Sequence, residues 1–355
     1  MLPTSHPTHA ALLEHPADIL AFAALHTPNC ALVILTGTEG GGVRAPGAMM
    51  AVTAAGDVAG YVSGGCVDAD ICARAQAALH DREASVTLRY GAGSPYFDLP
   101  LPCGGALEVM ICPAPPQALL ESVCEALQGR RSAGLLLTRG GELRAAEPAQ
   151  TGWVDAGFAM AMRPGLQLRL AGRGADLVAL ARLGAAAGMA VQVETPDDTC
   201  LQQVRAAGVS RVQRLTTPAD ITANKDDGHT AFVLLFHDLN WDVALLSDAL
   251  AGQAFYVGAV GSARTQSRRR GELAAAGVPR ERLQRLRGPV GLIASMRDAS
   301  TLAVSVLGEI IAADQSRSQL PQSNRQSGPS TRAEPAPQRR LDSLAGGAVE
   351  RGLGG

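Results

Sequence analysis

The chain is poor in aromatic side chains and has no apolar run long enough to cross a membrane. Trp, Tyr and Phe together make up 3% of its 355 residues, so a hydrophobic core must rest on Ala, Leu and Val. No apolar run reaches the ~20 residues of a membrane helix, and the N-terminal residues lack the apolar stretch of a signal peptide. We therefore expect a cytoplasmic protein with no membrane partner.

Charge of either sign is also sparse. The formal net charge is −2, which removes the electrostatic case for a nucleic-acid partner. Lys225 is the single lysine among 31 basic residues. A site that binds an anion through a positive side chain is therefore expected to use arginine, whose planar guanidinium suits phosphate. The seven cysteines are odd in number, and a chain of this length needs no disulfides, so we expect reduced thiols.

The order of sequence patterns predicts an α/β protein with two folded domains. The first part shows helices, a hairpin and further strands, which is typical of a mixed α/β domain. Later, short apolar strands alternate with helices, which indicates a Rossmann-like, doubly wound parallel sheet. The predicted boundaries are 1–115 for the N-terminal domain, 116–165 for a connecting segment with a hairpin, 166–314 for the Rossmann-like domain and 315–355 for a disordered tail.

Two cysteines stand beside paired glycines, each at the edge of a predicted element. The motifs are Ser63-Gly64-Gly65-Cys66, directly before a predicted helix, and Cys103-Gly104-Gly105, directly before a predicted strand. A helix N-terminus favours a thiolate over a thiol, and glycines let a ligand approach the backbone closely. The two motifs predict a soft-ligand site, and the alternative is that both cysteines are small core residues in tight turns.

Two glycine-rich segments also carry arginine and suit an anion. The first is the loop 37–47 with Arg44, which fits a phosphate or a carboxylate, or is a flexible surface loop. The second follows a predicted strand and consists of Gly258, Gly261, Ser262 and Arg264. Ser262 either contributes to an anion site at the helix N-terminus or only caps that helix. We expect the following Arg269 and Arg270 to lie on a solvated face.

A third segment resembles a dinucleotide-binding fingerprint. Gly172 and Gly174 follow a predicted strand and precede a helix, and Glu194 closes the next strand, where an acid binds a ribose hydroxyl. Leu177 occupies the third glycine position. A Rossmann-like fold does not determine its ligand, so NAD(P) stays an alternative.

His237 and Asp238 end a further predicted strand, four residues before Asp242. Ligand-binding groups gather at that edge of an open α/β sheet, although His and Asp are also ordinary capping residues.

Taken in order, these segments resemble the XdhC/CoxI family, accessory proteins that mature xanthine dehydrogenase-type molybdenum enzymes. The resemblance covers about residues 20–313 and is carried by Arg44-Ala-Pro-Gly-Ala-Met-Met, Gly60-Tyr-Val-Ser-Gly-Gly-Cys66-Val-Asp68, Cys103-Gly-Gly-Ala-Leu-Glu108-Val, the Gly172 and Gly174 turn, His237-Asp238, Tyr256-Val-Gly-Ala-Val-Gly-Ser262-Ala-Arg264 and Gly288-Pro-Val-Gly291.

The resemblance implies a carrier of molybdenum cofactor (molybdopterin) rather than an enzyme. Such a carrier protects the cofactor while a cysteine desulfurase supplies the terminal sulfur, and then delivers it to a xanthine dehydrogenase-type apo-enzyme. Cys66 and Cys103 are the candidate molybdenum ligands, because molybdenum bound to a dithiolene is a soft centre. The other candidate cofactor-binding residues are Arg44, Ser63, Gly64, Gly65, Gly104, Gly105, Gly172, Gly174, His237, Asp238, Gly258, Gly261, Ser262 and Arg264.

Three functions stay open at this level: a cofactor carrier, a nicotinamide-dependent oxidoreductase, and a scaffold that only docks the desulfurase and the dehydrogenase. Two glycine-flanked cysteines favour the carrier, since a simple oxidoreductase has no use for them. The segment Gly291-Leu-Ile-Ala-Ser lacks the acid usual in the family, and we hypothesise a divergent member that serves a different molybdenum hydroxylase. The oligomeric state is open, a homodimer included.

Overall fold

The computed structural model describes residues 13–42, 44–65, 67–94, 104–218, 226–236, 239–294 and 296–318. The chain divides into two compact units, 1–311 and 312–355. All of the sheets lie in the first unit.

The N-terminal part is built on a five-stranded antiparallel sheet. Its elements are α1 (Pro16–His26), β1 (Cys30–Glu39), β2 (Met49–Thr53), β3 (Val58–Gly60), α2 (Asp68–His80), β4 (Val86–Gly91), β5 (Ala106–Pro113) and α3 (Gln117–Gln128). The strand order is β3-β2-β1-β5-β4. Alternate residues of β1 enter two cores: Leu32 and Ile34 pack with α1 and α3, whereas Val33 and Leu35 pack with α2. The sheet is therefore the middle layer of this part.

A second, four-stranded sheet follows, made of β6 (Ala133–Thr138), β7 (Leu143–Ala145), β8 (Gly152–Val154) and β9 (Gly157–Met162). Its order is β7-β6-β9-β8, so the strands form two antiparallel hairpins. The hairpin predicted around the glycine turn at 139–141 is β6 and β7. Leu135, Leu137 and Phe158 join the same core cluster as Ile34, so this sheet packs on the α1 and α3 side of the five-stranded sheet.

The third sheet is fully parallel and doubly wound, and it confirms the predicted fold class. Its elements are β10 (Gln167–Gly172), α4 (Gly174–Ala186), β11 (Ala190–Thr195), α5 (Asp198–Ala206), β12 (Arg211–Arg214), β13 (Thr230–Leu235), α6 (Leu239–Ala251), β14 (Tyr256–Ala259), α7 (Ala263–Ala275), α8 (Arg280–Leu283), β15 (Leu286–Arg287) and α9 (Ala299–Ser318). The order β12-β11-β10-β13-β14-β15 reverses between β10 and β13, which is the Rossmann arrangement.

Helix α9 continues four residues beyond the predicted end of folded structure at Asp314. Within the second unit, Arg317 pairs with Asp314 at 2.5 Å, which stabilises this last turn. Residues 319–355 of the predicted tail lie outside the described residues. Among the described helices, α9 included, none is long and apolar enough to cross a membrane.

The inner face of α7 carries charge, contrary to the expectation of a solvated face. Arg269 is only 1% exposed, and its Nε donates to the carboxylate of Asp242 at 2.7 Å. Arg270 is half-buried and donates to the carbonyl of Leu283 at 2.6 Å. The prediction was wrong for both arginines because α7 packs against α6 and α8. Asp242 is therefore engaged inside the fold rather than at the sheet edge.

An ion pair connects the segment after α3 with the residues that precede β13. Nε and Nη2 of Arg130 donate to the two carboxylate oxygens of Asp227 at 2.7 and 2.9 Å. Burial alone raises the pKa of Asp227, but Arg130, the backbone N–H of His229 and the Thr230 hydroxyl outweigh it and lower this pKa from 3.8 to about 2. Because the folded pKa is below the unfolded one, the stabilisation is present above pH ~4 and is lost as the pH falls towards ~2.

Replacing Asp227 with asparagine is therefore expected to lower the unfolding free energy by ~1–2 kcal/mol at neutral pH, after allowance for solvent screening. The deficit relative to the wild type should shrink at pH ~3, where unfolded aspartate is already protonated. Urea unfolding at both pH values measures it, with the exposed Asp155→Asn as the control. A deficit of equal size at the two pH values would contradict the assignment.

Candidate functional site

Three loops leave the same end of the five-stranded sheet. The register pairs are Ile34–Met49, Met50–Gly60, Glu39–Ala106 and Gly91–Ala106. Antiparallel pairing therefore brings the end of β1, the start of β2, the end of β3, the start of β5 and the end of β4 to one edge. We call this edge the three-loop end; the described residues of its loops are 40–42 and 44–48, 61–65 and 67, and 92–94 with 104–105.

Two of these loops touch through glycine backbone. Gly40 has a φ of +75°, and a Cβ at this position would lie 3.2 Å from the Cα of Gly105. Beside them, Arg89 of β4 binds Glu39 at 2.8 Å and Glu108 at 2.6 Å, so one guanidinium ties together β1, β4 and β5. No sequence motif indicates this cluster, because its three members are far apart along the chain.

The glycines next to the two cysteines in the sequence face open space. Gly65 has a φ of +108° and Gly104 one of +69°, and a Cβ at either position would meet no described atom within 4 Å. Within the described part of the chain, nothing therefore blocks a ligand on the side that a Cβ would fill. Cys66 and Cys103 themselves lie outside the described residues.

Asp68 holds the loop that precedes α2. One carboxylate accepts hydrogen bonds from the backbone N–H groups of Ser63 at 2.9 Å, Gly65 at 2.8 Å and Val62 at 3.3 Å. The Ser63 hydroxyl in turn accepts from the N–H of Val67 at 3.1 Å. Ser63 therefore shapes the loop, and Asp68, which was not among the predicted site residues, holds it. Its signal was an acid in the first turn of a helix after a glycine pair.

Arg44 lies in a small pocket and already has a partner. Its guanidinium is 3.3 Å from the Glu14 carboxylate and lies over the Tyr61 ring at 4.7 Å. The Tyr61 hydroxyl donates to the same carboxylate. The pocket of about 230 Å³ is lined by Glu14, Pro16, Ile19 and residues 44–49. The Arg44 guanidinium is therefore already paired with an acidic side chain of the same chain.

Trp153 brings the four-stranded sheet to the rim of the three-loop end. Its indole N–H donates to the carbonyl of Thr36 at 3.1 Å, at the bulge of β1 between Leu35 and Gly37. A Cβ on Gly47 would lie 2.7 Å from Thr151, the residue before β8. The side chain of Trp153 is 45% exposed, so an aromatic surface borders the Arg44 loop. No sequence motif indicated this.

The described cysteines are free thiols, and burial makes most of them poor metal ligands. Burial raises the pKa of Cys30, Cys112 and Cys124 to about 11 and also raises that of Cys72 and Cys200. Metal ligation needs the thiolate. Within the described part of the chain, no group of three His, Cys, Asp or Glu side chains could hold a metal ion.

The remaining described candidates lie at the carboxyl edge of the parallel sheet. Gly172 lets β10 and β13 approach closely, since a Cβ there would lie 2.6 Å from Leu235. Gly258 is equally confined, because a Cβ there would lie 2.6 Å from the Val290 side chain. Ser262 caps α7 by accepting from the N–H of Thr265 at 3.2 Å, and Gly261 precedes it with a φ of +123°. Arg264 is exposed one turn further, whereas His237 and Asp238 lie outside the described residues.

The Rossmann arrangement is typical of dinucleotide binding. The residues near the point where the strand order reverses, between β10 and β13, do not suit a dinucleotide. The N–H of Gly174, which would face a pyrophosphate, donates to Sγ of Cys200 at 3.2 Å. Both carboxylate oxygens of Glu194 are bound by Arg169, at 2.8 and 3.2 Å, so this acid is not presented to a ribose. Leu177 is fully buried where a glycine would allow closer packing. These groups are therefore engaged within the protein rather than available to NAD(P).

Comparison with known proteins agrees with the resemblance found in the sequence. A family model described as the XdhC and CoxI family matches residues 26–91, and one described as the XdhC Rossmann domain matches residues 168–310. The chain is 34% identical over 312 residues to the molybdenum cofactor insertion chaperone PaoD of Escherichia coli (strain K12), which covers 86% of this chain and 90% of that protein.

The fold is also similar to that of a solved structure described as a xanthine dehydrogenase from Bacillus halodurans. The TM-score is 0.70 at 19% identity, over 87% of this chain and 98% of that chain. At that identity the likeness concerns the fold alone. The extent of the match to PaoD, together with the two family models, establishes the relationship. The chain belongs to the XdhC and CoxI family.

Proposed function

We propose that this chain is a molybdenum cofactor insertion factor that binds the cofactor at the three-loop end. It protects the cofactor while a cysteine desulfurase adds the terminal sulfur, and it hands the cofactor to a xanthine dehydrogenase-type molybdenum hydroxylase. The observation that carries the proposal is the convergence of three glycine-rich loops at one end of the five-stranded sheet. The name of the related chaperone supports an accessory role rather than an enzymatic one.

In this proposal, Cys66 and Cys103 supply the thiolates for molybdenum. Each is adjacent in sequence to a glycine whose backbone faces open space, so a bulky pterin complex can come close. Cys66 also stands two residues before Asp68, the first residue of α2, where backbone N–H groups favour a thiolate. The raised pKa of the buried cysteines described above leaves these two as the best candidates.

The pterin phosphate is assigned to Arg44 and to the open backbone of the glycine loops. A guanidinium offers two parallel donors to a phosphate, and this geometry makes the contact specific. Ser262 and Arg264 stay a second proposed anion site, at the N-terminus of α7. In this proposal the chain also contacts the desulfurase and delivers the cofactor to the apo-hydroxylase. A homodimer is a further proposal.

Anaerobic titration of the full-length protein with molybdenum cofactor tests the proposal. The readout is molybdenum and pterin bound per chain, for the wild type and for Cys66→Ala and Cys103→Ala. Cys72→Ala is the matched control, since Cys72 packs on the α2 core and burial raises the pKa of its thiol. We expect the wild type and the control to bind with the same affinity, and at least one of the two loop variants to lose affinity by about tenfold or more.

Three results separate the alternatives. No binding by the wild type would refute the carrier role. Wild-type affinity in both loop variants would refute the assigned ligands. If a variant lost the cofactor but still activated the apo-hydroxylase in the presence of the desulfurase, the chain would act as a scaffold instead.

A further inference from the structure

Arg44, Glu14 and Tyr61 form a closed set of contacts, which we call the Glu14 latch. The Arg44 guanidinium binds the Glu14 carboxylate at 3.3 Å and the Glu14 backbone carbonyl at 3.4 Å. It also lies over the Tyr61 ring at 4.7 Å, and the Tyr61 hydroxyl donates to that same carboxylate. The cation that we assign to a phosphate is therefore already neutralised by an acid of the same chain.

The latch connects three segments of the three-loop end. Glu14 lies two residues before α1, Arg44 lies in the loop 40–48, and Tyr61 directly follows β3. Tyr61 is also the first residue of the loop that Asp68 holds and that contains Cys66. A change in the partner of Arg44 therefore changes the contacts of Tyr61, at the start of the loop that carries a proposed molybdenum ligand.

The two charged partners differ in how easily they can move. The Glu14 side chain is 55% exposed, whereas that of Arg44 is 18% exposed and is backed by the Tyr61 ring. Glu14 can turn into solvent at little cost, because exposed ion pairs are weak, while Arg44 stays in place. A phosphate would bring more negative charge to the guanidinium than a carboxylate does, and Glu14 would repel it as long as it remained in contact.

We propose that Glu14 is an internal competitor at Arg44, and that a phosphate monoester displaces it on binding. This inference rests on the proposed function, since it specifies how the phosphate part of that site is controlled. Without a ligand, the carboxylate shields Arg44 from other anions and holds Tyr61. With a phosphate bound, Glu14 and the Tyr61 hydroxyl are released from each other.

Isothermal titration of the full-length protein with inorganic phosphate tests the competitor directly. Glu14→Gln keeps the size and the acceptor oxygen of the side chain but removes its charge, so we expect phosphate to bind about fivefold more tightly. Arg44→Gln is expected to weaken binding by about tenfold or more. Glu142→Gln is the matched control, because it removes the same charge from another exposed ion pair, with Arg144, and we expect it to match the wild type.

The outcomes separate this inference from the proposed function. If Glu14→Gln bound phosphate no more tightly than the wild type while Arg44→Gln bound it less tightly, Arg44 would remain a phosphate site and the competitor role would be wrong. If Arg44→Gln bound phosphate like the wild type, or if neither the wild type nor Glu14→Gln bound it, both the phosphate site and the latch would be wrong.

A second titration, with molybdenum cofactor, identifies the source of the phosphate. Glu14→Gln should tighten cofactor binding by a similar factor if the phosphate of the cofactor is the group that displaces Glu14. A response to inorganic phosphate without any response to the cofactor would overturn the placement of the cofactor phosphate at Arg44.

Discussion

Replacing Asp68 with alanine is expected to abolish retention of molybdenum cofactor and to lower the unfolding free energy by ~2–4 kcal/mol. The carboxylate accepts three backbone N–H groups of the loop 61–67 at 2.8 to 3.3 Å. Hydrogen bonds to a charged group contribute ~1.5–3 kcal/mol each when buried, and less where solvent can replace them. Without this acceptor, the described part of the loop before α2 loses the bonds that hold its shape.

Urea unfolding and the cofactor titration measure the two effects of Asp68→Ala. Asp81→Ala is the control, because Asp81 is exposed just beyond the other end of the same helix, and it should leave both quantities nearly unchanged. Asp68→Glu should keep most of the binding, since it keeps a carboxylate that can accept the same N–H groups. Full cofactor binding by Asp68→Ala would show that the loop needs no acid.

Replacing Arg169 with methionine is expected to destabilise the protein by ~3–5 kcal/mol, because it leaves buried carboxylates without their cation. Arg169 is 4% exposed in β10 and binds Glu194 at 2.8 Å, Asp248 at 2.9 Å and Asp226 at 3.1 Å. Methionine fills much of the same volume, so the loss comes mainly from charge rather than from a cavity.

Comparison with Glu194→Gln distinguishes charge from packing in the Arg169 cluster. That variant leaves Arg169 paired with Asp226 and Asp248, so its loss of unfolding free energy should be clearly smaller. Arg211→Met, at an exposed position of β12 in the same sheet, should change the unfolding free energy by less than ~0.5 kcal/mol. Equal losses for Arg169→Met and Arg211→Met would refute the role of the buried cluster.

Short-range patterns predicted most of the fold. The apolar stretch of β1, the glycine turn between β6 and β7, and the strand-helix alternation from Leu166 all depend on near neighbours, and the structure contains each of them. The elements α5, β12, α8 and β15 were missed. β12 is a four-residue strand with arginine at both ends, and it exists because it pairs with β11 at the edge of the sheet.

In the candidate site, too, some features could be predicted from the sequence and others could not. The glycine and cysteine motifs could be found in the sequence because turn chemistry is local. Glu14 could not be found, because it meets Arg44 thirty residues away along the chain only after the fold has formed. Glu194 was predicted to face a ribose, yet the partner of a buried acid depends on which side chain the neighbouring strand places beside it.

The sequence by itself determined most of the helices and strands, the glycine turns and the resemblance to the family, since these follow from periodicity and local backbone preference. Only the tertiary structure decided that three loops share one end of a sheet, that Arg44 is paired with Glu14, and that Arg169 and Arg269 lie inside with their acids. Strand order and register decide these contacts, and they depend on packing between residues far apart in the chain.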